Sequence, residues 1–122
     1  MFKGNNMNEE IILKSEDGVG IITLNRPERL NALTYNIVKK MNDFLDKCES
    51  DDDIKCVIIE GAGEKAFCAG GDVVSLRKQV LDEGGPPTEL SEKFFYDEYL
   101  LNYKINNFTK PYICLLYTSD AA

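Results

Sequence analysis

The sequence predicts an α/β fold from three observations. Two β-rich runs flank Asp17-Gly18, an amphipathic run follows Thr34, and a continuous apolar run, Cys56-Val57-Ile58-Ile59, comes next. Strand, helix and strand in that order require a crossover, right-handed for twisted strands, and so a helix layered on a sheet with parallel members.

Residues 10–15 and 20–25 read as strands, and Asp-Gly between such runs is a strong hairpin signal. Arg26-Pro27-Glu28-Arg29 ends the second strand. From Thr34, a candidate N-cap, Ile37, Val38, Met41, Phe44, Leu45 and Cys48 recur at helical spacing, predicting a helix that ends near Ser50. Asp51-Asp52-Asp53 reads as a solvated turn, with an acidic metal site as the alternative. The apolar run at 56–59, bounded by turn signals, reads as a strand covered on both faces. After Gly61-Ala62-Gly63, a second helical pattern holds Val73, Val74, Leu76, Val80 and Leu81, and Gly84-Gly85-Pro86-Pro87 stops it. Residues 90–108 carry enough large apolar groups, Phe94, Phe95, Tyr99, Leu100, Tyr103 and Ile105, for a buried helix. Lys110-Pro111-Tyr112-Ile113 looks like the start of another strand.

The 122 residues, 43% apolar and 29% charged, suit one globular domain. A net charge of −7 argues against nucleic acid and anionic membranes as partners. No apolar run approaches the roughly 20 residues of a membrane helix, and residues 1–10 show neither a signal-peptide core nor an Arg-rich amphipathic leader. Cys48, Cys56, Cys68 and Cys114 lack metal-ligand spacing, and with no His the chain is read as metal-free. The missing His also removes the commonest general base. Chemistry must then run on carboxylates, backbone donors or a group absent from this chain.

Such donors are expected at Ala66-Phe67-Cys68-Ala69-Gly70-Gly71-Asp72, where small residues and two glycines precede an Asp that opens a helix. Backbone amides there lie open to close approach and are aided by the positive end of the helix dipole. Phosphate, a developing oxyanion or a plain turn with an Asp N-cap all fit this spacing.

The words Asn25-Arg26-Pro27-Glu28-Arg29-Leu30-Asn31-Ala32-Leu33 and Gly61-Ala62-Gly63-Glu64-Lys65-Ala66-Phe67-Cys68-Ala69-Gly70-Gly71-Asp72 resemble the enoyl-CoA hydratase/isomerase, or crotonase, superfamily over residues 10–113. The resemblance implies the first part of a crotonase-like ββα spiral, truncated here, from a parent that forms homo-oligomers in many members. It makes the Gly71 N–H one of two oxyanion-hole donors, and has Arg29, Leu30, Ala32, Ala66, Ala69, Gly70 and Asp72 line the coenzyme A and acyl path. Arg26 and Lys65 are candidates for phosphate contacts or for solvated surface roles. Coenzyme A enters as part of the substrate, so no separate cofactor is expected.

Phe94-Phe95-Tyr96-Asp97-Glu98-Tyr99-Leu100-Leu101-Asn102 followed by Lys110-Pro111-Tyr112 is similar to the 3-hydroxyisobutyryl-CoA hydrolases, which cleave a thioester in valine breakdown. Glu98 falls where those hydrolases place a substrate-contacting carboxylate; a solvent-facing Glu is the alternative. Phe94, Phe95 and Tyr99 read as core, and Cys68, with no His to activate it, reads as packing. The resemblance implies an acyl-CoA hydrolase for the parent, with an enoyl-CoA hydratase or isomerase as its rival. It also implies an intracellular and mitochondrial setting, although no presequence is visible and cytoplasm or peroxisome are alternatives.

Residues 114–122, Cys-Leu-Leu-Tyr-Thr-Ser-Asp-Ala-Ala, resemble the translation of a transposase sequencing adapter and are set apart from residues 1–9, a tail, and 10–113, the domain. A spiral cut there exposes a sheet edge and apolar faces, so the chain taken alone is expected to be an inactive, CoA-binding or poorly folding piece.

Overall fold

The computed structural model of the chain describes residues 9–85 and 88–116. Its four-stranded sheet runs in the order β1 (Ile11–Glu16), β2 (Val19–Leu24), β3 (Cys56–Gly61), β4 (Tyr112–Cys114). β1 and β2 are antiparallel, with Ile11 opposite Leu24 and Glu16 opposite Val19; β3 runs parallel to both β2 and β4. Asp17 and Gly18, at φ 52° and 82°, close the hairpin with two left-handed residues, as the Asp-Gly pair predicts.

Helix α1 (Tyr35–Ser50) carries the crossover from β2 to β3. The Thr34 side chain accepts from the Ile37 N–H, supplying the predicted cap. Ile37, Val38, Met41, Leu45 and Cys48 on its inner face meet Ile22, Leu24, Val57 and Ile59 of the sheet in one core. Helix α2 (Val73–Asp82) adds Leu76 and Val80, and α3 (Glu89–Asn106) adds Phe94 and Leu101. Thr88 and Ser91 cap α3 reciprocally; Pro86 and Pro87, the expected stop after α2, lie outside the described residues.

Two expectations are corrected. β3 is covered on one face only: Val57 and Ile59 are buried while Cys56, Ile58 and Glu60 stay half-exposed. The apolar run reflects strand propensity as well as burial. Helix α3 is likewise not a buried helix. Phe94 is core at 2% exposure, but Phe95 and Tyr99 are 46% and 74% exposed, and Tyr96 and Tyr103 are exposed too. The helix meets α1 along a narrow stripe through Phe94 and Leu101, one heptad apart.

Among the described residues, no helix is long and apolar enough to span a membrane, and no cluster of three metal-ligating side chains occurs, Asp51-Asp52-Asp53 included. The cysteines there are unpaired. Of the segment 114–122, Cys114 ends β4 and the Leu115 N–H donates to the Ile59 carbonyl at 2.9 Å. Residues 117–122, like 1–8 of the N-terminal tail, lie outside the described residues.

Candidate active site

The site is built where the chain leaves β3. A Cβ added at Gly61 would stand 2.3 Å from the Phe67 carbonyl oxygen and 2.7 Å from Asn31 Nδ2, so the loop after β3 folds directly back onto the strand end. Asn31, fully buried and at φ 57°, holds it there. Its Nδ2 donates to the Ala62 and Ala66 carbonyls, both at 2.9 Å, while its Oδ1 accepts from the Arg26 N–H at 2.8 Å. One side chain thus ties both ends of the loop to the end of β2. Asn is among the few non-glycine residues that adopt this backbone region readily.

The loop then meets residue 33 in a single parallel bridge, Leu33 opposite Gly71. The Leu33 N–H donates to the Gly70 carbonyl at 2.7 Å and the Asp72 N–H to the Leu33 carbonyl at 2.8 Å. Both bonds use the neighbours of Gly71. Parallel pairing therefore leaves Gly71's own N–H aimed the other way, and among the described residues it donates to no acceptor. The bridge explains why this amide is free; the two glycines alone do not. Gly70, at φ 88°, makes the left-handed turn that delivers the chain to the bridge.

Immediately after Gly71, Asp72 caps α2. Its Oδ1 accepts from the Ser75 N–H at 3.0 Å and its Oδ2 from the Ser75 hydroxyl at 2.9 Å, with Arg26 Nη1 3.0 Å from Oδ2. Burial alone would raise this carboxyl, but the two Ser75 donors and the Arg26 guanidinium outweigh it and hold Asp72 below its ordinary value.

Glu98, half-buried on α3, comes to the same place. A Cβ added at Gly71 would be 3.1 Å from Glu98 Oε2 and 3.3 Å from Phe94 Cζ. Cys68 is close by, its sulfur accepting from the Gly70 N–H at 3.4 Å. Burial pushes the Cys68 thiol up, outweighing the Gly70 N–H that its sulfur accepts, and the charge of Glu98 adds to the rise, which makes it a poor nucleophile and suits a packing role.

Three of the expected site residues are thus brought together: Gly71, Glu98 and Gly70. Ala66 and Lys65 line a separate cleft of about 580 Å³ with Pro27 and Gly63. Arg29 and Leu30 are exposed on the 3₁₀ turn Pro27–Arg29 and its left-handed cap; Ala69 is exposed and Ala32 buried. Asp72, expected to line the acyl path, has its carboxylate fully engaged by Ser75 and Arg26. Arg26 is not a free phosphate ligand, since its side chain is 12% exposed, paired with Asp72 and donating to the Ala32 carbonyl at 2.7 Å. The sequence reading gave Asn31 no role. Its only signal was an Asn between Leu30 and Ala32, just after a proline turn.

A profile of the enoyl-CoA hydratase/isomerase family matches residues 19–117. Among curated proteins, the chain is 43% identical over 107 residues to a Danio rerio protein named "3-hydroxyisobutyryl-CoA hydrolase, mitochondrial", covering 88% of this chain and 27% of that one. It is 40% identical over 118 residues to the Homo sapiens protein of the same name, covering 96% and 29%. The chain therefore spans little more than a quarter of the length of the curated relatives it matches. Among solved structures, a carnitinyl-CoA dehydratase from Mycobacterium thermoresistibile superposes with a TM-score of 0.80 at 39% identity, over 89% of this chain and 31% of that one. An enoyl-CoA hydratase from Rhodobacter sphaeroides 2.4.1 gives 0.80 at 31% identity, over 88% and 31%. Sheet order, the loop after β3 and these matches agree on one conclusion: the chain belongs to the enoyl-CoA hydratase/isomerase family and has the crotonase fold.

Proposed function

We propose that this chain supplies one oxyanion donor and a substrate-contacting carboxylate to an acyl-CoA thioester hydrolase of the 3-hydroxyisobutyryl-CoA type. The observation that carries the reading is the unpartnered Gly71 N–H beside Glu98, in a segment 43% identical to a relative of that name.

When water attacks a thioester carbonyl, negative charge moves onto the carbonyl oxygen before the C–S bond breaks and the coenzyme A thiol leaves. A fixed N–H aimed at that oxygen is worth more as the charge grows, and the positive end of α2 adds to it. Glu98 is an acceptor beside the donor. It suits the hydroxyl of a 3-hydroxyacyl group, and a charged acceptor makes a stronger bond than a neutral one. Gly70 and Ala69 leave room for the thioester, while the cleft at Lys65 and Ala66 suits the nucleotide end of coenzyme A. The second donor and the acid/base group belong, in this reading, to parts of the family that the chain does not span. Coenzyme A arrives with the substrate, and the compartment is the mitochondrion that the relatives' names print.

The test uses the chain itself and a chimera in which it replaces the matching segment of the Danio rerio relative. Thiol release from 3-hydroxyisobutyryl-CoA by the chimera, without hydration of an enoyl-CoA, supports the hydrolase. Hydration without thiol release selects instead the hydratase chemistry named for the Rhodobacter sphaeroides neighbour.

A further inference from the structure

Gly71 is held from both sides by groups that converge on one guanidinium. Arg26 Nη1 donates to the carbonyl of Ala32, the residue before Leu33, and lies 3.0 Å from the carboxylate of Asp72, the residue after Gly71. The Arg26 backbone is fixed in turn by Asn31, whose N–H donates to the Arg26 carbonyl at 2.8 Å and whose side chain accepts from the Arg26 N–H. Side-chain exposures of 12% for Arg26 and 8% for Asp72 leave the pair little screened by water.

We propose that Arg26 is a positioning residue for the Gly71 N–H: by gripping Ala32 and Asp72 together it locks the Leu33–Gly71 bridge and sets the direction in which the free amide points. The bridge consists of two hydrogen bonds, too few to fix an amide direction without lateral support. Arg26 supplies that support from the ends of both bridged segments through one nitrogen, Nη1, whose two N–H groups can serve both acceptors. Arg26 need not touch substrate for this. The ligand it serves rests on the thioester reading above, whereas the clamp rests on the hydrogen bonds alone.

The test uses the ¹⁵N-labelled 122-residue chain with isobutyryl-CoA as the probe. In R26M, amide exchange at Leu33 and Asp72 is expected to rise about tenfold or more while Ile22 and Val57 in the sheet change by less than about twofold. The downfield shift of the Gly71 amide on adding isobutyryl-CoA should fall by about half or more, and R26K should recover part of both effects. D72N reads the same clamp without uncapping α2, because Asn is also a good N-cap, and it decides the matter if R26M does not fold. Unchanged exchange at Leu33 and Asp72 in both variants overturns the proposal. So does a rise that is equal at Ile22 and Val57, which would make the pair a general support of the fold. If the wild-type Gly71 amide ignores isobutyryl-CoA while both variants loosen Leu33 and Asp72, the thioester reading fails and the clamp stands.

Discussion

Replacing Asn31 by Ala tests the stitch that shapes the site. The change deletes three hydrogen bonds, of 2.8, 2.9 and 2.9 Å, from a fully buried residue. At about 1 kcal/mol net each, and more for any partner left dry, they sum to roughly 3 kcal/mol. Ala must also adopt the φ of 57°, which costs about 1 kcal/mol over Asn. Against a typical total of about 5–15 kcal/mol, a loss of roughly 4 kcal/mol removes a large share of the stability. With no Trp in the chain, far-UV circular dichroism in urea is the suitable assay. For a urea slope of about 1.5 kcal/mol/M the midpoint should fall by about 2–3 M. Asn31→Gly loses the same bonds without the backbone cost, and should be about 1 kcal/mol less damaging than Asn31→Ala. A loss below about 1 kcal/mol for Asn31→Ala would refute the reasoning, since water would then be replacing the amide at Ala62 and Ala66.

Gly61→Ala places a Cβ 2.3 Å from a backbone oxygen that cannot swing aside, and should lower stability by about 1–3 kcal/mol or more in thermal unfolding. Asp72 titrates below its ordinary 3.8 in the folded chain, so its contribution is present above that pH and lost as pH falls through the folded value. Urea midpoints of wild type and D72N should therefore converge on acidification, and parallel curves would contradict the pairing. Glu98→Gln in the chimera should weaken 3-hydroxyisobutyryl-CoA by about tenfold or more in KM, as expected for a hydrogen bond to a charged group, and leave isobutyryl-CoA nearly unchanged. The Cys68 thiol, pushed up by burial, should react slowly with iodoacetamide at neutral pH, and Cys68→Ser in the chimera should keep most of the turnover.

What was legible in the sequence is what local rules govern. Asp17-Gly18 announces its own turn, Thr34 its own cap, and α1 its buried face through residues three and four apart. The burial of β3 and α3 was misread because β-branched and aromatic density reports propensity together with environment, and only the packing partner separates the two. The site was legible in part. Gly71 and Glu98 were singled out, but their meeting depends on where α3 crosses the loop, which no spacing encodes. The Arg26–Asp72 pair and the Asn31 stitch join residues far apart in the chain, and a charged residue after a strand reads as surface until its partner is seen.

The attachment of Gly71 to the rest of the molecule through one bridged residue has a consequence for how such a protein can change. Residues 63–65 are exposed and lie between Ala62 and Ala66, whose carbonyls Asn31 holds, and they carry no ladder of their own. Their side chains can vary without moving the amide that the bridge presents. The exposed surface of the loop can thus be rewritten while the bridged amide stays where it is, so sequence change there need not begin with loss of the bridge.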